Sequence, residues 1–168
     1  MDLREEIFEL IYGKRKVEEA ILQLNQIIKS APENSRAIAL KAYALNKFAN
    51  SQKDWKFSDR ALDFAERALF LNPEDDIALT SKGWALIDLG RAGEALQPLE
   101  HATHLSPRNE YAWYNLAWAQ YLTGKPITSS QSIGHALAIA PRNRIIIHGK
   151  EMMARGEVPA HLKTRKQS

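Results

Sequence analysis

Small and apolar positions recur along this chain in one fixed register, punctuated by proline. Pro32, Pro73, Pro107 and Pro141 stand 41, 34 and 34 residues apart. Two residues after each lies Asn34, Asp75, Asn109 or Asn143, and five before each lies Ile27, Ala68, Ala102 or Ala136. Twelve before each lies Ala20, Ala61, Ala95 or Ser129. Proline cannot continue a helix and drives the residue before it out of the α region, so each closes one helix. The Asn or Asp that follows is a side-chain acceptor for the unpaired amides opening the next helix. The small residues mark close helix crossings, and Ala42, Gly83 and Ala117 repeat that mark midway along each leading helix. Gly90 and Gly124 fall between paired helices, where a left-handed backbone suits glycine. The register predicts repeated units of helix, tight turn and helix. Leading helices are expected over 35–49, 76–89 and 110–123, a trailing helix over 127–139 and a last helix over 143–155.

Units 76–109 and 110–143 resemble tetratricopeptide repeats. The matching residues are Trp113, Leu116, Ala117, Gly124, Ile133, Ala136 and Pro141 in one, and Leu79, Gly83, Gly90, Ala95, Leu99, Ala102 and Pro107 in the other. Unit 35–75 matches through Ala42, Ala61, Ala68 and Pro73 but is seven residues longer. Unit 1–34 matches only in its second helix, through Ala20, Leu24 and Pro32; its first helix resembles a degenerate cap. The resemblance implies an all-α, right-handed superhelical solenoid of about four antiparallel helix pairs plus a C-terminal capping helix. That domain is expected to span 1–156, with the capping helix over 143–156 and a basic, disordered tail over 157–168. The size is similar to that of small bacterial tetratricopeptide adaptors and chaperones.

Several residues depart from the repeat pattern. Lys41 and Lys82 stand where it often has Leu, so their stems are expected to pack and their ammonium groups to reach water. Pro98 falls inside a trailing helix and predicts a kink. The helix over 127–139 holds Thr128, Ser129, Ser130, Ser132 and Gly134 and is expected to be the softest. The extension Asn50–Lys56 joins the helices of unit 35–75 and brings Trp55, followed by Phe57. Such rings in a loop either cover a bare edge or anchor a partner, and the cover is the favoured reading.

Composition narrows the class. The 168 residues are 45% hydrophobic and 26% charged, which fits one folded domain rather than a disordered chain. No stretch approaches the roughly 20 apolar residues of a membrane span. The acidic start, Asp2 to Glu6, lacks the order of a signal peptide, so a cytoplasmic location is expected. The absence of Cys excludes disulfides, thiolate zinc sites and cysteine catalysis. The net charge is +3, and from Pro141 onward seven Lys and Arg face two Glu, so the basic excess belongs to the C-terminal end.

Candidate chemistry is sparse. His101 and His104 lie three apart on a helix but lack convergent further ligands. Ser129-Ser130 has no base at a defined spacing, and the isolated glycines form no phosphate loop. No catalytic residue, metal or cofactor is expected.

The aromatic pattern is more informative. The resemblance assigns Trp113 and Leu116 to the core and the leading helices to a concave surface. On helix 110–123 this leaves Tyr111, Tyr114, Trp118 and Tyr121 as a second stripe, with Asn115 beside it. Corresponding places hold Thr80, Trp84 and Asp88 on the helix before it and Tyr43 and Lys47 on the one before that. The last helix adds His148 and Met152. Contiguous exposed rings mark binding surfaces, and an Asn amide can clamp an extended backbone.

These residues predict a non-catalytic interaction module, an adaptor or assembly chaperone that holds a peptide or amphipathic helix with apolar or aromatic anchors. Some tetratricopeptide proteins clamp the acidic C-terminus of heat-shock chaperones. Here Thr80, Trp84, Ile145 and Gly149 replace four of the five clamp residues and only Asn115 remains, so that partner is not expected. Two alternatives stay open: a self-associating scaffold, and an anionic partner such as nucleic acid held by Arg142, Arg144, Lys150, Arg155 and Lys163.

Overall fold

A computed structural model of the chain describes residues 2–13 and 15–163. The elements are α1 (Leu3–Phe8), which continues into a π-helical turn (Glu9–Gly13), α2 (Val17–Ser30), α3 (Ser35–Gln52) and α4 (Lys56–Leu71). They continue with α5 (Asp76–Asp88), α6 (Ala92–Leu105), α7 (Glu110–Leu122), α8 (Pro126–Ile139), α9 (Arg144–Ala154) and α10 (Ala160–Lys163). The described residues include no strand. The protein is an all-helical solenoid of antiparallel helix pairs.

The caps follow the proline register. Asn34 accepts from the Ala37 amide, Asp75 from Ile77 and Ala78, Asn109 from Tyr111 and Ala112, and Asn143 from Ile145. Each opens α3, α5, α7 or α9 by satisfying amides that have no partner inside the helix. The trailing helices α2, α4, α6 and α8 have no such side-chain cap, so they depend on packing against their neighbours. Gly90 and Gly124 adopt φ of 77° and 76° in the turns of their pairs, and Lys53, at φ 55°, serves that role after α3.

The seven extra residues of unit 35–75 do not make a loop. α3 has 18 residues against 13 in α5, and α4 has 16 against 14 in α6, which accounts for all seven as added helix. Phe57, on the added part of α4, meets Phe48 of α3 edge to face at 4.8 Å. The ring therefore covers the lengthened end of the pair. α6 runs from Ala92 to Leu105 through a buried Pro98.

Each leading helix packs on its own trailing helix and on the next leading helix, α3 on α5 and α5 on α7. The small residues of the register form these crossings: Ala20, Ala42, Ala61, Ala68, Ala95, Ala102, Ala117 and Ala136 are fully buried. Gly83 shows why the position must be small, since a Cβ there would lie 2.3 Å from Leu99. Large apolar side chains fill the spaces between crossings, among them Leu24, Ile38, Leu40, Leu45, Leu86, Leu99 and Ile146. The serines of α8 are part of this packing. Ser129 Oγ donates to the Ala117 carbonyl at 3.0 Å, and Ser132 Oγ donates to Gln120 Oε1 at 2.8 Å, so α8 lies close against α7 with its hydroxyls satisfied.

Lys82 reaches out to Glu66 at 3.0 Å, as expected of a snorkelling lysine. Lys41 does not: it is 8% exposed, and its Nζ sits 3.8 Å from the centroid of the Phe64 ring. Burial, with Arg60 and Arg67 nearby, lowers its pKa.

The chain is also ordered past its expected end. Residues 160–163 form a short helix, and Leu162 is buried in the core cluster that reaches from Leu45 to Ala119. This corrects the expectation of disorder from residue 157; positions 164–168 lie outside the described residues. No helix among the described residues is long and apolar enough to cross a membrane.

Candidate peptide-binding groove

The residues at 111, 114, 115 and 118 lie three or four apart, so α7 turns Tyr111, Tyr114, Asn115 and Trp118 to one face. These four line a cavity of about 740 Å³ on the side formed by the leading helices. α3 adds Lys47, Asn50 and Ser51; α5 adds Trp84; α9 adds Arg144, Ile145, His148 and Met152. Tyr12 closes one end, and Pro159 and Ala160 line it as well. Eight of the twelve residues singled out from the sequence therefore surround one space.

The other four do not line it. Tyr43 and Thr80 face a neighbouring cavity of about 720 Å³ that also takes Arg4, Phe8 and Asn109. Thr80 is engaged internally, its Oγ1 donating to the Asp76 carbonyl at 2.7 Å. Asp88 is buried beneath the wall, where Ser58 Oγ donates to its carboxylate at 3.4 Å. Tyr121 packs edge to face on Trp118 at 5.7 Å and serves as backing for the groove.

Sequence reasoning missed Tyr12. The π-helical turn carries this ring across to the leading helices, where it stacks on Tyr111 and shares a hydroxyl–hydroxyl hydrogen bond with Tyr43. Phe8, one turn earlier, packs 5.1 Å from Tyr43. The N-terminal segment thus fills part of the concave wall with the protein's own rings and divides it into the two cavities. The available signal was the Phe8/Tyr12 pair, four apart among acidic residues, which has no place in the repeat register.

The wall is also less bare than expected at Trp118, which is only 5% exposed and packs edge to face with Tyr114. Trp84, in the equivalent place one repeat earlier, is only partly buried and meets Tyr43 edge to face at 5.7 Å. Of the two equivalent tryptophans, the one more accessible to a ligand is therefore on α5.

The polar content of the large cavity is one-sided. It is lined by Lys47, Arg144 and His148 and by no Asp or Glu. Lys47 Nζ lies 4.9 Å from the Tyr12 ring centroid, and burial holds its pKa below the ordinary lysine value. Burial raises the Tyr114 hydroxyl, which therefore stays protonated. Asn115 is 5% exposed, and its amide has no hydrogen-bond partner among the described residues.

Elsewhere the chemistry is thin. His101 and His104 are exposed, and no group of three His, Asp or Glu among the described residues is placed to hold a metal. At the basic end, Arg155 pairs with Glu157 at 3.1 Å and Arg144 belongs to the cavity.

No protein-family profile and no curated protein matches the sequence. Solved structures do match in fold. A thermophilic TPR protein of Thermus thermophilus superposes with a TM-score of 0.66 at 16% identity, over 86% of this chain and 75% of that one. YrrB, described as a TPR protein with an unusual peptide-binding site, gives 0.58 at 16% identity over 91% and 76%. The first TPR of Spaghetti, bound to an HSP90 peptide, gives 0.57 at 17% over 70% and 94%. Helix pairs, caps, small-residue crossings and these superpositions agree: the chain folds as a tetratricopeptide-repeat protein.

Proposed function

We propose that this chain is a single-domain, non-catalytic protein–protein interaction module, an adaptor or assembly chaperone that holds a peptide or amphipathic segment in the groove between α3, α5, α7 and α9. The observation that carries this reading is the Asn115 amide. It lines a ring-walled cavity, has its polar atoms open to that cavity rather than sealed in the core, and has no partner within the described chain. A peptide backbone offers the donor and acceptor that this amide does not find within the chain. Trp84 and Tyr114 supply apolar area on either side at low entropic cost. Two of the solved neighbours are described with peptides or peptide sites, which supports the same class. At the basic end Arg155 is taken up by Glu157 and Arg144 by the cavity wall, which favours the groove over nucleic acid.

The test is affinity capture with the tagged chain and with a Trp84→Ala/Asn115→Ala variant of equal helix content. A partner retained by the first and lost by the second supports the groove. Retention of the same proteins by both, or of none by either, removes it.

A further inference from the structure

The chain turns back on itself where α9 ends. Gly156 adopts φ of 71°, its amide donates to the Met153 carbonyl at 3.1 Å, and the Glu157 amide donates to the Met152 carbonyl at 2.8 Å. This left-handed cap closes the helix and reverses the chain. The segment that follows returns to the open face. Pro159 and Ala160 line the large cavity together with Lys47, Asn50 and Ser51, which stand near the end of α3. Leu162 is 7% exposed, and the apolar cluster it enters includes Tyr114, Trp118 and Met152, three residues of the same cavity. Val158, Pro159, Ala160 and Leu162 are the apolar residues of an otherwise polar terminus.

Little holds this segment in place. Among the described residues, Val158, Pro159, Ala160 and Leu162 make no hydrogen bond or ion pair with α3, α5 or α7. α10 is a single turn, too short to be stable by itself. Its placement rests on the burial of one leucine, set against the freedom of the residues ordered with it. A segment held in this way opens at far lower cost than the helix pairs behind it.

Resting on the groove reading above, we propose that residues 157–163 are a self-inhibitory strap: the chain's own segment closes one side of the groove through Leu162, and a guest must displace it to use the groove in full. The turn at Gly156 aims the strap, Pro159 and Ala160 form its face toward the cavity, and Leu162 is its anchor. The segment of the same molecule is favoured over that of a second copy because Pro159 follows the end of α9 by only a few residues. So short a tether keeps the anchor beside its seat at high effective concentration.

The experiment titrates the full chain and its Leu162→Ser variant with anilinonaphthalene sulfonate, a dye that fluoresces on apolar surface, and follows helix content by circular dichroism. Leu162→Ser is expected to bind the dye about threefold or more tighter at unchanged helix content, and Leu162→Met to behave as the parent. Because the chain has no Cys, a Ser51→Cys/Ala160→Cys variant bridged by a short bismaleimide fixes the strap shut, and dye binding is expected to fall below that of the parent. Equal dye binding by the parent and Leu162→Ser would overturn the strap and leave the groove standing. Loss of helix in Leu162→Ser would also overturn it, by making the leucine part of the core. A dye gain that persists in full in Leu162→Ser/Trp84→Ala would overturn the groove reading, since the uncovered surface then lies elsewhere. A parent that sediments as a dimer and a Leu162→Ser variant that sediments as a monomer would assign the segment to a second copy and overturn self-inhibition.

Discussion

Tyr12 lies flat on Tyr111, with ring centroids 5.6 Å apart and planes 12° from parallel. These residues are almost a hundred positions apart in the chain. Their stacking ties the N-terminal turn to the first turn of α7 and fixes one boundary of the groove.

Removing that ring therefore has two separable effects. Tyr12→Ala is expected to cost about 2–3 kcal/mol of stability in urea denaturation, from lost burial and lost ring contacts. Tyr12→Phe keeps the stack but leaves the buried Tyr43 hydroxyl without its partner, and is expected to cost about 1 kcal/mol. Equal losses for both variants would mean that the hydroxyl pair, rather than the stack, holds the segment.

The two equivalent tryptophans should behave differently. Trp118→Ala empties a site enclosed by Tyr114 and Tyr121 and is expected to lower stability by about 3–4 kcal/mol. Trp84→Ala, on a partly exposed ring, is expected to cost half that or less in stability while weakening peptide binding by about 2 kcal/mol. Denaturation curves and peptide titrations on both variants check the assignment.

Two glycines inside helices differ in the same way. Gly83→Ala places a methyl group 2.3 Å from Leu99 and is expected to destabilise by about 1–3 kcal/mol despite better helix propensity. Gly134→Ala, in the middle of α8 with open space around its Cβ position, is expected to stabilise by about 0.5–1 kcal/mol. Thermal melts of the pair would show shifts of opposite sign.

Lys41 makes the stability depend on pH. Its folded pKa is lowered, chiefly by burial and then by Arg60 and Arg67, so above that value the unfolded chain binds more protons than the folded one. Stability gained from this group rises with pH from the lowered folded value up to the ordinary lysine range near about 10.4. Lys41→Met removes that slope. The variant is expected to equal or exceed the parent by about 1 kcal/mol near neutrality, with the gap closing as the pH rises. Tyrosine ionisation affects both proteins alike and cancels in the difference.

The repeat architecture was legible because each of its causes is local. Proline, the Asn or Asp two positions later and the small crossing residues act within their own turn or helix, and the side-chain caps of α3, α5, α7 and α9 stand at Asn34, Asp75, Asn109 and Asn143 as the register requires. The groove was legible only in part. Spacing on α7 placed Tyr111, Tyr114, Asn115 and Trp118 on one face, but no periodicity reveals that Tyr12 crosses from another part of the chain to occupy that face. Nor does the register distinguish Trp84 from Trp118, since their environments differ through neighbours rather than position. Nor does composition show that the serines of α8 place their hydroxyls on the Ala117 carbonyl and Gln120.

Gly149 brings α9 against the groove from outside: a Cβ there would lie 2.6 Å from the Tyr114 ring. With no side chain between them, the tyrosine and the helix backbone are in direct register, and the ring cannot swing toward α9 without pushing the helix away. The seat of α9 and the position of the Tyr114 ring are thus set together, and a side chain at 149 would have to part them.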